Sequence, residues 1–301
     1  IIKTHIIDTA IKLACSNYKS ALTNLKNGNI KHFRIRYWKY KRTNKTIEIE
    51  SCYFKNGTIC KLVFGMIKAT YNNEIYNMKQ IEEYNVSCKL QFNNGKYFLF
   101  IPIKIDQTEN KNTKEFISID PGIRTFMTGI SENEIIKIGN NVMDKLKSYH
   151  NRIDETNKIE DEKHKHKKQK LYRRKIKNLV DELHWKTINI LIKKYKNVLI
   201  GDMSVKGIVS NESSNLGKMI KRISYSLKFY EFRQRLENKC KINKIGYKCI
   251  NEKFTSKLCS NCGWENKNLG SNKIFICKCC LKMIDRDVNG GRNIYIKSKL
   301  K

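Results

Sequence analysis

The sequence predicts a chain of two parts, an all-β module followed by an α/β unit that a cysteine-rich insertion interrupts. Three observations predict this organisation. Short β-branched and aromatic segments fill residues 29–113, strand-like and helix-like patterns alternate from residue 114 onward, and two Cys-x-x-Cys pairs lie late in the chain. The 301 residues and the 40% hydrophobic content suffice for two or three domains with real cores.

Residues 3–28 are predicted to form one amphipathic helix, because apolar residues recur at helical spacing until Asn27-Gly28 ends the pattern. Five strand-like segments follow: FRIRYWKY, TIEIESCYF, CKLVFGMI, VSCKLQF and KYFLFIPIKI. Asn94-Gly95 joins the last two as a hairpin turn. The module at 29–113 is therefore predicted to be a small β-barrel.

The α/β unit is predicted over residues 114–254, and it begins with three strands, EFISIDPG, RTFMTGIS and EIIKIG. A helical hairpin with a basic surface follows between residues 141 and 196, then the strand NVLIGDMSV, a helix and the strand KIGYKCINE. That helix is expected to have one apolar face formed by Leu216, Met219, Ile220, Ile223, Leu227 and Leu236. With a terminal helix at 285–301, this is the element order of an RNase H-like fold, in which the first and fourth strands lie side by side.

The cysteine-rich insertion at 255–284 is predicted to be a zinc ribbon. Two Cys-x-x-Cys pairs can close a tetrahedral thiolate shell, whose usual occupant is a structural Zn²⁺; the ligands are Cys259, Cys262, Cys277 and Cys280. In this register Cys279 points elsewhere. An iron–sulfur or redox role is the alternative for these cysteines.

Acidic residues occur where the predicted elements meet. Asp120 ends the first strand of the α/β unit, and Asp285 and Asp287 begin the terminal helix, so that Asp287 could meet Asp120. Taken singly, Asp120 could be a turn residue and the other two could be helix caps. Taken together, clustered carboxylates repel unless divalent cations neutralise them. Two Mg²⁺ ions would do so, and they would also support phosphodiester hydrolysis.

The charge of the chain indicates a polyanionic partner. Lys and Arg outnumber Asp and Glu by 61 to 28, a net charge of +33, and nucleic acid is the first candidate. An AT-rich gene, which favours Lys, accounts for part of this excess. No apolar run reaches a membrane span of about 18 residues and no signal peptide is recognisable, which predicts a soluble intracellular protein. Because Ile1 rather than Met opens the sequence, a fragment and a processed form are both open.

Four motifs, SIDPGIRTF, IGDMSVKGI, TSKLCSNCG and DRDVNGGRNI, resemble the RuvC-type nuclease of the TnpB family over about residues 30–301. The resemblance implies an RNA-guided DNA endonuclease whose partners are a guide RNA and a DNA target. It also implies an oligonucleotide-binding wedge domain at 29–113, a RuvC domain interrupted by the zinc ribbon, and cleavage that requires Mg²⁺. The helix at 1–28 would be a remnant of the guide-recognition region, and a eukaryotic host would imply nuclear localisation.

The chain departs from the bacterial pattern at the second RuvC motif, where Gly201-Asp202-Met203 stands in place of Glu-Asp-Leu. Glu252 is the candidate replacement, because it ends the strand beside the fourth one and a Gly201 without a side chain would leave it room. This arrangement resembles the Fanzor branch of the family. Asp202 is the alternative ligand, although strand alternation points it away from the Gly201 face. An exposed polar role for Glu252 is the other interpretation.

Basic residues are expected to contact nucleic acid at several places. The segment RIRYWKYKR mixes aromatic and basic side chains, as a surface that follows a nucleic-acid backbone would, or as ordinary strand alternation would. Arg292 could reach the scissile phosphate, whereas His184, in ELHWKTINIL, is expected to be a helix packing residue near the sheet rather than a catalytic one. The expected contacts are Arg34, Arg36, Lys39, Lys206, Lys221, Arg222 and Arg292.

The sequence therefore predicts a nuclease in which Asp120, Glu252 and Asp287 bind Mg²⁺. A catalytically inactive remnant that binds nucleic acid is the first alternative. The second is a transposase that joins DNA strands, which the resemblance disfavours because RuvC-like nucleases of this family cut without joining.

Overall fold

The computed structural model describes residues 4–35, 44–61, 65, 68–71, 73–77, 79, 81, 85–93, 95–105, 110, 112–205, 209, 216–270 and 272–300. The chain divides into two units, Ile1–Ile105 and Asp106–Lys301. Among the described residues, no helix has both the length and the apolar content that crossing a membrane requires.

The first unit holds one long helix and a three-stranded antiparallel sheet. Helix α1 (Thr4–Lys26) confirms the predicted amphipathic helix. The strands that follow are β1 (Asn44–Ile49), β2 (Phe54–Lys55), β3 (Thr58–Ile59), β4 (Thr70–Tyr71), β5 (Glu74–Ile75), β6 (Cys88–Asn93) and β7 (Lys96–Phe100). The sheet has the order β1-β6-β7, while β2 pairs with β3 and β4 with β5. A core that includes Ile49, Phe54 and Ile81 lies within this unit.

The strand predictions in this unit are confirmed in part. Asn93 pairs with Lys96, which confirms the hairpin at Asn94-Gly95, although Asn94 itself lies outside the described residues. Residues 33–35 of FRIRYWKY and the described residues of CKLVFGMI form no strand, so these assignments are wrong there, and the other residues of both segments are not described. The described strands form separate small sheets, and the predicted barrel stays a prediction.

The second unit is mixed α/β, built on a five-stranded sheet. Its strands are β8 (Lys114–Pro121), β9 (Met127–Ile130), β10 (Ile135–Ile138), β11 (Tyr195–Gly201) and β12 (Gly246–Ile250), in the order β10-β9-β8-β11-β12. Strands β8, β11 and β12 run parallel, whereas β9 and β10 are antiparallel additions. The expected adjacency of the first and fourth strands is confirmed, since Ile117 pairs with Val198 and Ile119 with Ile200. All four side chains are buried, as central parallel strands require.

A helical hairpin connects β10 to β11, as predicted. Helix α2 (Val142–Glu155) is followed by α3 (Glu162–Lys194), whose first turn is capped by Asp161: the carboxylate accepts from the backbone N–H of Lys163 at 2.9 Å. The carboxyl-terminal half of α3 places its buried residues at helical spacing in the core of the unit: Ile176, Val180, His184, Ile188 and Leu191. The amino-terminal half is mostly exposed and carries the basic run.

The single helix expected to include Leu216–Leu236 is wrong, because the structure has two helices, α4 (Lys218–Ser226) and α5 (Phe229–Ile242). Lys228 has a φ of +49°, a left-handed conformation that cannot continue a right-handed helix. The break places Phe229 and Phe232 on Phe126, with ring centroids 5.4 Å and 5.2 Å apart. Aromatic packing therefore compensates for the break, and apolar periodicity alone could not reveal it.

The cysteine-rich insertion forms a small hairpin, β13 (Ile274–Ile276) with β14 (Met283–Asp285), and leads directly into helix α6 (Arg286–Lys299). Asp285 caps this helix, since its Oδ1 accepts from the N–H groups of Asp287 at 2.9 Å and Val288 at 3.2 Å. Helix α6 packs on the sheet through Gly291, where a Cβ would lie 2.6 Å from Cγ1 of Ile130. The glycine therefore permits a close approach of α6 to β9.

Candidate functional site

Four acidic residues, Asp120, Glu252, Asp285 and Asp287, line one open cavity of about 920 Å³ in the second unit. Asp120 lies next to the end of β8, Glu252 follows β12 by two residues, and Asp287 lies in the first turn of α6. Because β8, β11 and β12 are parallel, their carboxyl ends lie at the same edge of the sheet. The fold therefore brings together the three acids that the sequence singled out.

Gly201, the last residue of β11, leaves the space that the side chain of Glu252 occupies. A Cβ on Gly201 would lie 1.9 Å from Oε1 and 2.5 Å from Cγ of Glu252. The backbone of Met203 also forms a hydrogen bond with the Glu252 carboxylate. The expected room beside Gly201 is confirmed, and residues 201–203 form one side of the Glu252 environment.

Gly290 gives Asp120 a similar close approach to helix α6. A Cβ on Gly290 would lie 2.6 Å from Oδ2 of Asp120. One residue further along, the carbonyl of Gly291 accepts a hydrogen bond from Oγ of Ser118 at 2.7 Å. The two glycines therefore let the backbone of α6 press against β8, so that Asp287 comes to the same cavity as Asp120.

Burial and neighbouring negative charges raise the pKa values of Asp120, Glu252 and Asp287. Burial, and then the charges of Glu252 and Asp287, raise the pKa of Asp120 well above its usual range. Burial and the charge of Asp202 raise the pKa of Glu252 to about 7. Burial and the charge of Asp285 also raise the pKa of Asp287. Each carboxylate is therefore poised to gain stability from a positive charge in the cavity.

The oxygen chemistry of the cavity fits divalent cations. Oε1 of Glu252 is buried and has no hydrogen-bond partner, a costly arrangement for an acceptor unless a ligand satisfies it. Mg²⁺ binds oxygen ligands and is commonly held by one or two carboxylates together with substrate oxygens. The three carboxylates do not converge on one point as the cysteines do, and a pair of ions about 4 Å apart does not require them to converge.

Two acids, Asp202 and Asp285, are already engaged within the protein. Asp202 does not line the cavity: its Oδ1 accepts from the backbone N–H of Glu252 at 2.9 Å, and its Oδ2 accepts from Nδ2 of Asn251 at 3.1 Å. Asp285 lines the cavity, but it caps α6 and pairs with Nζ of Lys137 at 2.7 Å. Although burial opposes it, the hydrogen bond from Lys137 lowers the pKa of Asp285. These partners distinguish Asp202 and Asp285 from Asp120, Glu252 and Asp287, whose pKa values are raised.

Four basic side chains line the same cavity, and sequence reasoning did not single them out: Arg124, Lys137, Lys273 and Arg286. Two of them belong to motifs that were noted, SIDPGIRTF and DRDVNGGRNI, so a signal existed for Arg124 and Arg286. Lys137 and Lys273 had none, because single lysines are uninformative in a chain with 61 Lys and Arg residues. The cavity thus combines acids with cations, as a site for phosphate and metal would.

The residues expected to contact nucleic acid belong to both units of the chain, and three of them are not described. Arg34 is exposed in the first unit, while Arg36, Lys39 and Lys206 lie outside the described residues. Lys221 lies on α4, where its neighbour Arg222 pairs with Asp154 at 2.6 Å.

The expectation that Arg292 reaches the scissile phosphate is not supported. Its side chain lines a different cavity, beside Phe116 and Tyr295, because it projects from another side of α6 than Asp287 does. Its expected contact with nucleic acid elsewhere stays a prediction.

His184 is a packing residue, as expected. Its ring stacks on Phe126 with centroids 5.4 Å apart, and its Nε2 lies 2.9 Å from the carbonyl oxygen of Leu227. Burial lowers the pKa of His184 to about 4, so the imidazole is neutral at physiological pH. The side chain is fully buried, and it does not line the acidic cavity.

The four predicted cysteines form a cluster compatible with a structural zinc site: their sulfur atoms all lie within 4.8 Å of one another. Cys259 and Cys280 have their Sγ atoms 3.7 Å apart, and those of Cys262 and Cys277 are 3.5 Å apart. Tetrahedral zinc with Zn–S bonds of about 2.3 Å requires sulfur–sulfur distances of about 3.8 Å. Cys279 is exposed and outside the cluster, which confirms the predicted register.

Two family models match the chain. The model described as "Cas12f1-like, TNB domain" matches residues 229–294, which contain Glu252, the four cysteines and Asp287. The model described as "Probable transposase" matches residues 100–212, which contain Asp120 and Gly201.

The chain is also similar to curated viral proteins. It is 36% identical to TnpB-like protein L79 of Acanthamoeba polyphaga mimivirus, over 97% of this chain and 57% of that protein. It is 30% identical to putative transposase A625R of Paramecium bursaria Chlorella virus 1, over 96% of this chain and 68% of that protein. The chain thus spans little more than half the length of L79.

Among solved structures, a cryo-EM structure of a Cas12f1–sgRNA–target DNA complex resembles the chain with a TM-score of 0.47 and 18% identity. The match covers 78% of this chain and 50% of that one. A likeness at this level assigns no role to any residue.

Proposed function

The chain belongs to the TnpB family, and on that premise we propose that it is an RNA-guided DNA endonuclease of transposon origin. The observation that carries the proposal is the cavity in which Asp120, Glu252 and Asp287 meet basic side chains. A protein that only bound nucleic acid would gain nothing from three half-buried acids in one cavity, because they repel the phosphate backbone and one another. The acids instead suit cation-assisted hydrolysis.

We propose an RNase H-like, RuvC-type fold for residues 114–254 together with the terminal helix at 285–301. The sheet order β10-β9-β8-β11-β12 supports this assignment, with three parallel strands and two antiparallel ones. The zinc ribbon would occupy 255–284, between Glu252 and Asp287. Residues 29–113 would form the wedge domain, and 1–28 would belong to a guide-recognition region.

The proposed catalytic groups are Asp120, Glu252 and Asp287, which would hold two Mg²⁺ ions through carboxylate oxygens. Bound Mg²⁺ supplies a nucleophilic water at neutral pH and stabilises the oxygen that leaves the cleaved phosphodiester. The carboxylates must be deprotonated to act, and positive charge in the cavity lowers the pKa values that burial has raised.

The cations of the cavity would hold the substrate phosphate. Arg124 lines the cavity from the loop between β8 and β9, and Lys137 lines it from β10. Lys273, just before β13, and Arg286, at the start of α6, line it as well. The pairing of Lys137 with Asp285 fixes the ammonium group near Asp287. The predicted partners are a guide RNA and a DNA target, and the net charge of +33 supports both.

The test is cleavage by the purified chain, expressed from DNA that includes the sequences on either side of its gene, so that an RNA bound by the chain co-purifies. That RNA is sequenced, and duplex DNA that contains its complement is incubated with Mg²⁺ or without any added divalent cation, because a chelator would also remove zinc. We expect cuts only with Mg²⁺, and we expect none from Asp120→Ala, Glu252→Gln or Asp287→Ala. Asp202→Asn should have a smaller effect, because its side chain lies outside the cavity.

Glu160→Gln is the matched control, since Glu160 is exposed and makes no contact with the cavity. If Glu252→Gln cut normally while Asp202→Asn were inactive, Asp202 would be the ligand. If the chain bound nucleic acid and cut none with any divalent metal, a binding protein without nuclease activity would replace the proposal.

A further inference from the structure

Glu252 stands in a segment without regular secondary structure, yet its backbone is held from both sides. Toward the sheet, Oδ1 of Asp202 accepts from the N–H of Glu252 at 2.9 Å. On the other side, the carbonyl of Glu252 accepts from both the N–H of Thr255 at 3.0 Å and its Oγ1 at 2.9 Å. Both peptide groups of the acid are therefore fixed by specific partners rather than by a strand ladder.

Helix α6 continues this chain of hydrogen bonds. Nδ2 of Asn293 donates to the carbonyl of Thr255 and to that of Leu258, each at 2.7 Å. Thr255 and Asn293 are both buried, with 3% and 6% of their surface exposed. An amide nitrogen has two hydrogens, and Asn293 uses both of them inside the protein. Solvent therefore cannot replace these bonds at low cost.

Asn293 lies on the same helix as Asp287. The spacing between Glu252 and Asp287 is consequently set by a short path, from Glu252 through Thr255 and Asn293 to the backbone of α6. We propose that Asn293 and Thr255 are positioning residues, which hold Glu252 in register with the acid on α6, while Asp202, the residue that follows β11, holds it from the sheet side. The inference rests on the proposed function, because it assigns the three acids to a shared cation site.

The same helix also binds the first zinc knuckle. Asn289, one turn before Asn293, accepts from the N–H of Ser260 at 2.9 Å and donates to the carbonyl of Leu258 at 2.7 Å. Asn289 thus holds the ribbon without touching Glu252 or Thr255, and it offers a matched comparison of the same residue type on the same helix.

The experiment measures Mn²⁺ binding to the zinc-loaded full chain by electron paramagnetic resonance, without nucleic acid. Asn293→Asp removes the donor in an isosteric side chain, and Thr255→Val removes the hydroxyl in the same way. We expect each to weaken Mn²⁺ binding by about 10- to 100-fold, as outer-shell changes at metal sites do. Thr255→Ser should restore the affinity, because it keeps the hydroxyl.

Zinc content and melting temperature are measured on every variant, so that loss of structure is separated from loss of position. Asn289→Asp should lower the melting temperature and leave Mn²⁺ affinity within about threefold. If Thr255→Val and Asn293→Asp kept the affinity of the unchanged chain, the positioning role would be wrong. If Asn293→Asp did not fold, the difference in Mn²⁺ affinity between Thr255→Val and Thr255→Ser would decide whether the positioning role is right. If the Asp120→Asn variant bound Mn²⁺ as tightly as the unchanged chain does, the proposed function itself would be wrong.

Discussion

At the scale of single residues, the site depends on the absence of a side chain at two glycines, Gly201 and Gly290. A Cβ on Gly201 would lie 1.9 Å from the Glu252 carboxylate, and a Cβ on Gly290 would lie 2.6 Å from the Asp120 carboxylate. Both distances are too short for a side chain to be accommodated without movement. The sequence suggested the first of these, because a glycine stands where the bacterial pattern has a glutamate. Neither the burial nor the unpartnered Oε1 of Glu252 could be read from the sequence, because both depend on how β11, β12 and α6 meet.

Gly201→Ala should remove cleavage and leave the fold in place. The new methyl group would overlap the Glu252 carboxylate, and that flexible side chain would rotate out of the cavity before the strand moved. We expect at least about a hundredfold loss of Mg²⁺-dependent cleavage, comparable to the loss of an aligned metal ligand. Gly217→Ala is the control, because a Cβ there meets nothing within 4 Å. Normal cleavage by Gly201→Ala would contradict the assignment of Glu252.

The unfolding free energy should depend on pH in a way that Glu252 controls. Its pKa rises from 4.5 to about 7 on folding, so the folded chain binds the proton more tightly. Without divalent cations, ionisation of Glu252 has no effect on the unfolding free energy at low pH. As pH rises from about 4.5 to 7, it lowers the unfolding free energy, by about 3 kcal/mol in total.

Urea unfolding of the zinc-loaded chain and of zinc-loaded Glu252→Gln, in buffer without other divalent cations and without chelator, measures this contribution. The difference between the two curves should grow across that pH window, and Mg²⁺ should reduce it by binding the carboxylates. The comparison is needed because the lowered pKa of His184, about 4, contributes a change of opposite sign. Parallel curves would mean that Glu252 is solvated.

At the scale of elements, the cysteine cluster and α6 are the features near the site that the sequence predicted most closely. Paired cysteines carry a spacing signal that does not depend on the surrounding sequence, and strands such as EFISIDPG are recognisable from their β-branched and aromatic residues before a Pro-Gly turn. The break at Lys228 had no such signal, because Ile223, Leu227 and Leu236 are buried on both sides of it. Tertiary contacts of Phe229 and Phe232 decide that break.

Cys259→Ser should abolish the bound zinc and unfold the ribbon, because structural zinc sites contribute folding free energy directly. Metal analysis of the unchanged chain should give one zinc per chain, and the variant should give none. Cys279→Ser is the matched control, since Cys279 is exposed beside the cluster and should leave the zinc in place. Retention of zinc by Cys259→Ser would show that the ligand assignment is wrong.

At the scale of the whole molecule, charge dominates. With a net charge of +33, affinity for nucleic acid should fall steeply with salt, because neutralised phosphates release counterions. Six such contacts would lower the affinity about a thousandfold between about 50 and 200 mM salt. Fluorescence anisotropy with labelled duplex DNA measures the slope, and Asp120→Asn should not change it appreciably. A flat dependence would mean that the basic excess reflects composition alone.

The position of the zinc ribbon along the chain also bears on how the molecule folds. In the unfolded chain, bringing Glu252 and Asp287 together closes a loop formed by residues 253–286, at an entropic cost on the order of 3 kcal/mol. Zinc held by Cys259 and Cys280 would join two points inside that loop and shorten the stretch that must close by chance. Refolding started with zinc present should therefore assemble the acidic cavity faster than refolding to which zinc is added late.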